Sequence, residues 1–481
     1  MTFKINGFSF LGIVLIILSS YSIKAQTITP NKVFPIDSFL NWVATYHPIM
    51  QQANLLDDEA DALRMKARGS LDPKVYGDYE DKSFDQKNYF QVGEAGLKIP
   101  TWFGVDVKAA YTWSNGIFLD GSDQLPANGQ AVLGVEIPLV QGLLFDQRRA
   151  QIQQAELYRA ANEAERRDIV NNLMLDAAEG YWKWVYQFQV LQVFENSLRL
   201  AEDRFDLIKE SYLQGDKPAI DTLESLIQIQ NFGVQRDQAI VDYETARLEL
   251  SNFLWLDDLV PLEVSSSLKP SDLESIEISD IPQRTNSFFQ NMDSFHPQLR
   301  SILVKQQQLE IKERLKLEML KPSLNFSYNF LGNGFQLVPS ESENAALSAL
   351  LTENYKWGLN FSYPLFLRKE RGSLQLVRIE QLNNNYKFRQ KRLEIENKVN
   401  AITQQIETTQ QQLATQETVL SNYQRLLEVE NIKFRIGESS IFLLNNREQK
   451  LIDTQLKVLK FQMKYQQLQY KLEWAMGRLA R

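Results

Sequence analysis

The chain has 481 residues, 44% hydrophobic, with 60 acidic against 52 basic side chains, a formal net charge of −8 and no cysteine. The missing cysteines exclude disulfides, thiolate metal sites, a cysteine nucleophile and a lipidated N-terminal cysteine. The acidic balance argues against nucleic-acid binding, which needs a basic face.

Residues 1–25 read as a secretory signal. Lys4 supplies the positive start, Phe8 to Leu18 a short apolar run, and Ala25 a small residue before Gln26. The run is too short for a permanent span, so cleavage is expected after Ala25, the alternative being an uncleaved anchor. No later apolar run approaches about eighteen residues, which disfavours transmembrane helices. A β-barrel stays open, because its alternating strands keep hydropathy low.

Residues 26–256 form a first unit. Helical sequence opens at Asp37-Ser38 and runs to about Arg68, strand-like sequence covers about Lys74 to Leu139, and a long helix is expected from about Gln141 to Leu213. A turn at Gly215 to Pro218 leads into a helix ending near Leu254. Residues 257–286 form a linker, carrying Pro261, Ser265-Ser266-Ser267, Pro270 and Pro282. A second unit, 287–481, repeats the order: helix to 318, strand hairpin over 323–365, long helix to 436, turn at 437–440, helix over 441–478. The landmarks recur in register. His47-Pro48 returns as His296-Pro297 and Pro73 as Pro322, both at an offset of 249 (296 − 47; 322 − 73). Pro138 returns as Pro364 and Gly215 as Gly437, at 226 and 222 (364 − 138; 437 − 215). The order marks an internal duplication, with about 23 additional residues in the first copy, and fixes the architecture.

The long helix of the second copy carries Ile395, Val399, Ile402, Ile406, Leu413, Leu420, Tyr423 and Leu427 at heptad spacing, a coiled-coil seam. The strands alternate with period two. Phe103, Val105, Val107, Ala109, Tyr111 and Trp113 make one series. Leu324, Phe326, Tyr328 and Phe330 make another, and Tyr355, Trp357, Leu359, Phe361 and Tyr363 a third. Aromatic strands of this kind suit a membrane barrel with Phe103, Val105, Val107, Tyr111, Leu324, Phe326, Tyr328, Trp357, Leu359 and Phe361 facing lipid. A soluble antiparallel sheet is the alternative. Residues 74–84 and 89–98 alternate weakly and are candidates for an extra hairpin. One hairpin per copy gives four strands per chain, fewer than the eight or so a barrel needs. Open edges fail in lipid, so chains must pool strands. Three would supply twelve, a count the extra hairpin leaves open.

The duplicated order, with Ala44-Thr45-Tyr46-His47-Pro48, Leu71-Asp72-Pro73, Val135-Glu136-Ile137-Pro138-Leu139, Phe361-Ser362-Tyr363-Pro364-Leu365 and Phe434-Arg435-Ile436-Gly437-Glu438-Ser439-Ser440, resembles the TolC family of outer-membrane channels across the mature chain. The resemblance implies a mainly α-helical fold with a membrane β-barrel part: a homotrimer with a twelve-stranded barrel in outer-membrane lipid and a long α-helical periplasmic tunnel. It implies a passive exit duct for a tripartite efflux pump or a type I secretion system. The partners would be a periplasmic adaptor (membrane fusion protein) and an inner-membrane transporter, with no nucleic acid, cofactor, metal or catalytic residue. The tip residues Gly215, Asp216, Arg435, Gly437, Glu438, Ser439 and Ser440 would meet the adaptor. The family's gate aspartates stand six and nine residues after the second tip glycine, where this chain has Leu443 and Asn446. Copy one has Asp221 and Glu224 at that spacing, one turn apart on one helix face. We expect the gate charge there, although acids at a helix start also simply complement its dipole.

His47 and His296 precede prolines and are read as caps at a helix break, and the run Tyr181, Trp182, Trp184, Tyr186, Phe188 as interhelical packing. There is no nucleophile–base set, phosphate loop or metal-ligand spacing. A periplasmic adaptor or a secreted coiled-coil scaffold without a barrel is the competing reading. The first would carry one helical hairpin, and the second leaves the aromatic strands unexplained.

Overall fold

The computed structural model describes residues 33–121, 124–265, 267–271, 281–335 and 354–480. The expected signal sequence lies outside them. Among the described residues no helix is long and apolar enough to cross a membrane.

The helices come in two matching sets. The first is α1 (Ile36–Tyr46), α2 (Pro48–Arg68), α3 (Gln147–Leu213) and α4 (Ala219–Ser251). The second is α5 (Ile281–Phe295), α6 (Pro297–Glu318), α7 (Arg368–Arg435) and α8 (Ile441–Ala475). With 67 and 68 residues, α3 and α7 are each about 100 Å long at ~1.5 Å per residue. Both α2 and α4 pack along α3, and both α6 and α8 along α7; α3 also packs on α6 and α8, joining the sets. The heptad positions Ile395, Val399, Ile402, Ile406 and Leu413 are buried, and Leu420, Tyr423 and Leu427 half-buried. The seam is therefore tightest toward the middle of the molecule.

The largest core cluster lies where α1, α3 and α4 meet, around Phe39, Tyr181, Trp184 and Leu250. Tyr181, Trp182 and Trp184 are fully or nearly fully buried, so the aromatic run packs between helices. The Tyr181 hydroxyl lies 2.7 Å from the Phe34 carbonyl, to which it donates. Two short strand pairs clasp this level. β1 (Val33–Phe34) lies parallel to β8 (Lys269–Pro270), and β6 (Trp255–Leu256) antiparallel to β7 (Val260–Pro261).

Both histidines sit at helix breaks. His47 ends α1 in extended backbone and its Nδ1 accepts the Ile49 N–H; His296 does the same for Gln298 between α5 and α6. Proline cannot supply an N–H at the first helical position, so the imidazole satisfies the next one. Gly477, at φ +68°, lies so close to Pro297 that a Cβ would stand 2.5 Å from its Cδ. Burial lowers the His296 pKa from 6.5 to about 4, with Lys398 and Lys391 acting in the same direction and a hydrogen bond to the Ala475 backbone against it. The unfolded chain therefore binds one more proton than the folded one between those values. Stability is full above pH 6.5 and is lost as pH falls toward 4, by on the order of 3 kcal/mol from this group. A urea-melt pH series should show that slope, and His296→Asn, which caps without titrating, should flatten it.

The remaining strands form one six-stranded antiparallel sheet: β2 (Lys74–Phe84), β3 (Lys87–Pro100), β4 (Asp106–Asn115), β5 (Gln130–Pro138), β9 (Ser323–Leu331) and β10 (Tyr355–Ser362), in the order β10-β9-β5-β4-β3-β2. The weakly alternating residues 74–84 and 89–98 are strands and form the additional hairpin. With it the sheet has six strands among the described residues, against the four expected from one hairpin per copy. Phe103 and Val105 are not in a strand. Thr101 to Val105 is a turn, closed by Thr101 N–H donating to the Val105 carbonyl at 3.0 Å and opened by Gly104 at φ +92°. The alternation of large residues ran unbroken through this turn, and only the glycine marked it.

Candidate functional site: sheet wall and helix tips

The register of the sheet separates two chemistries. On one face, Val107 and Tyr111 of β4 stand level with Val135 and Ala131 of β5, and Val135 and Ile137 with Tyr328 and Phe326 of β9. Phe326 and Tyr328 in turn oppose Leu359 and Trp357 of β10, and Leu324 opposes Phe361. The predicted residues Val107, Tyr111, Leu324, Phe326, Tyr328, Trp357, Leu359 and Phe361 thus share one apolar face. Trp357, Leu359 and Phe361 are exposed in the single chain. The opposite face is polar, carrying Ser323, Asn325, Ser327 and Asn329 on β9 against Ser362, Asn360, Gly358 and Lys356. Trp102 and Phe103, exposed and packed edge-to-face in the turn before β4, stand at the helix-side end of the sheet.

The helix tips close alike. Gly215 has φ +83° and Gly437 φ +81°. Asp216 N–H returns to the Ser211 carbonyl and Glu438 N–H to that of Lys433, each at 2.9 Å. These left-handed glycine caps end α3 and α7 and reverse the chain. Gly215, Asp216, Arg435, Gly437, Glu438 and Ser440 are exposed, and Ser439 is half-buried and donates to Glu430 at 2.5 Å. Ser440 caps α8 by accepting the Leu443 N–H, whereas Pro218, before α4, provides no side-chain cap.

Asp221 lies in the first turn of α4 and Glu224 one turn on; both are half-buried and form no ion pair among the described residues. Leu443 and Asn446 are exposed at the matching places on α8. The two tips touch. Lys217 Nζ stands 4.4 Å from the Phe434 ring centre, and Ile208 packs with Ile441 and Leu444.

The strongest tie was missed in the sequence. Arg204 of α3 holds Glu448 of α8 in a two-pronged pair at 2.7 and 2.9 Å and reaches Asn445 at 3.3 Å. The side chains are 16% and 6% exposed. One signal was available: Arg204 stands 11 residues before Gly215 and Glu448 11 after Gly437 (215 − 204; 448 − 437). The two residues therefore lie at one height on neighbouring hairpins. Among the described residues no cluster of His, Asp and Glu is arranged to hold a metal ion.

A family model described as "Outer membrane efflux protein" matches residues 296–478, inside the second unit. Among solved structures, the chain is similar to the Campylobacter jejuni CmeC outer membrane channel, at 12% identity and TM-score 0.65, over 93% of this chain and 86% of that one. It is similar to the Neisseria gonorrhoeae MtrE outer membrane channel in its open state, at 13% identity and TM-score 0.65, over 93% and 90%. It is also similar to the outer-membrane channel OprN, at 14% identity and TM-score 0.66, over 92% and 89%. No curated protein matches the sequence. These likenesses establish an outer-membrane-channel fold over most of the chain, and the family match covers the second unit from His296 to Arg478.

Proposed function

We propose that copies of this chain, three in the working assembly, form a passive exit duct through the outer membrane for an efflux pump. The observation that carries this reading is the sheet: one face apolar, the other polar, and both edges, β2 and β10, unpaired among the described residues. Such a sheet is stable in lipid only when closed. The helices support it. Leu376, Ile379, Leu382, Tyr386 and Leu393 of α7 are exposed at near-helical spacing, and a neighbouring copy would cover that stripe. The strands would cross the membrane and the helices extend the channel into the periplasm. Substrate movement then needs no chemistry from this chain, so no enzymatic role is proposed.

The tips would be the gate and the docking end. Leu213, Ile220, Ile436 and Phe442 expose apolar surface around the two glycine turns, which suits a periplasmic adaptor bridging to an inner-membrane transporter. Asp221 and Glu224 in three copies would ring the mouth with carboxylates and favour cations. Single-channel recordings of Asp221→Asn with Glu224→Gln should show cation preference falling toward parity. Unchanged preference in that variant would remove these two residues from the gate. Heat-modifiable migration together with outer-membrane fractionation tests the channel reading itself; a water-soluble protein would return the scaffold reading.

A further inference from the structure

We propose that β2 of one copy pairs antiparallel with β10 of the next, so that the additional β2–β3 hairpin is part of the barrel wall. Each copy then contributes six strands, and three copies close a barrel of about eighteen, within the range of membrane barrels and wider than one of twelve. The inference rests on the channel reading above. Three independent features of the sheet carry it.

The apolar face does not stop at β4. Val75, Gly77 and Tyr79 of β2 stand level with Leu97, Ala95 and Gly93 of β3, and these with Ala109, Tyr111 and Trp113 of β4. The hairpin therefore offers lipid the same side as the four strands that alternate strongly. Gly93 has a packing reason: a Cβ there would stand 2.2 Å from the Trp113 ring.

The polar face stitches the hairpin to its neighbours. Tyr76 of β2 donates to Glu94 of β3 at 2.5 Å, and Glu94 takes Lys108 of β4 at 2.6 Å. Lys98 of β3 reaches Asp106 of β4 at 3.1 Å and Glu136 of β5 at 3.6 Å. Arg148, just inside α3, holds Asp106 from below at 2.6 Å. A hairpin lying outside the wall would leave this ladder and the ten-residue β3–β4 pairing, Gln91–Pro100 against Asn115–Asp106, facing the wrong medium.

The register closes. Within one copy the line of partners from Val75 runs through Leu97, Ala109, Leu133 and Phe330 to Tyr355, at the far end of β10. Seating the next copy's β2 flush with the helix-side end of β10 puts its Val75 against Phe361, six residues along from Tyr355 (361 − 355). Six residues of climb over six strands, at ~3.3 Å per residue and ~4.8 Å per strand, is a tilt of ~35°, as membrane barrels have. That register sets Tyr79 against Trp357 on the apolar face. On the polar face it sets Glu80 against Lys356. Both are exposed and without an ion pair among the described residues, and opposite charges directly across strands stabilise a pairing.

The chain has no cysteine, so introduced pairs report single contacts. Glu80→Cys with Lys356→Cys, oxidised with copper phenanthroline in isolated outer membranes, should give two- and three-chain bands on non-reducing gels. The single variants should give none, while keeping the heat-resistant oligomer that shows they assemble. Thr112→Cys with Lys356→Cys probes the other closure, in which β4 meets β10 at the same tilt and the hairpin lies outside the wall. Cross-linking of that pair and not of the first would overturn the proposal while leaving the channel reading standing. No cross-link in either pair, from a protein that detergent extracts as a monomer, would overturn both.

Discussion

Arginine in place of Phe326 is expected to abolish the outer-membrane oligomer, while arginine at the adjacent Asn325 leaves it in place. Phe326 sits mid-strand on the apolar face, level with Ile137 and Leu359; Asn325 points the other way, level with Asn360. A cationic side chain on the lipid face near the bilayer midplane costs about 2–4 kcal/mol in each copy, and on the channel side close to nothing. In the proposed trimer the three copies would bear the cost together. The readout is the fraction of heat-resistant oligomer in outer membranes. Equal tolerance of both variants would mean that the face lies in water, as in a soluble sheet.

The second large effect is expected at the tips. Glu448→Ala leaves the Arg204 guanidinium with only Asn445 as a side-chain partner in a site that excludes most water. Breaking one half of a buried pair costs roughly 3–5 kcal/mol, whereas replacing both halves by well-packed apolar residues is often neutral. Glu448→Ala should therefore loosen α8 from α3 and raise single-channel conductance. Arg204→Met with Glu448→Met should regain stability while staying more readily opened than the parent. A conductance unchanged in Glu448→Ala would show that the pair holds the hairpins together without holding the mouth closed.

Much of this was legible in the chain. The histidine–proline landmarks mark the two helix breaks and the paired glycines the two helix reversals, because each is a local requirement of the backbone. Proline removes a donor, and a helix reversal needs a residue at positive φ. The heptad seam of α7 and the aromatic strands β4, β9 and β10 were visible because burial and period coincide there. β2 and β3 were faint for a physical reason. Their polar face carries Asp78, Glu80, Glu94 and Lys98, and their apolar face uses the small residues Gly77, Gly93 and Ala95, with the Trp113 ring leaving no room for a Cβ at Gly93. The alternation is present in register but weak in hydropathy. The turn at Thr101–Val105 was hidden by the large residues Phe103 and Val105, which continue the strand pattern through it. The Arg204–Glu448 pair spans 244 residues, and no window of sequence holds both ends. For Asp221 and Glu224 the sequence supplied the spacing and the structure their height on α4; their role as a gate remains the proposal tested above.

The mass of the detergent-extracted complex, corrected for bound detergent, tests the central claim most directly. Three chains per particle is the predicted result, since the proposed barrel pairs β2 and β10, the sheet edges among the described residues, with strands of other copies. A monodisperse single chain, or a protein that stays in solution without detergent, would contradict the shared barrel.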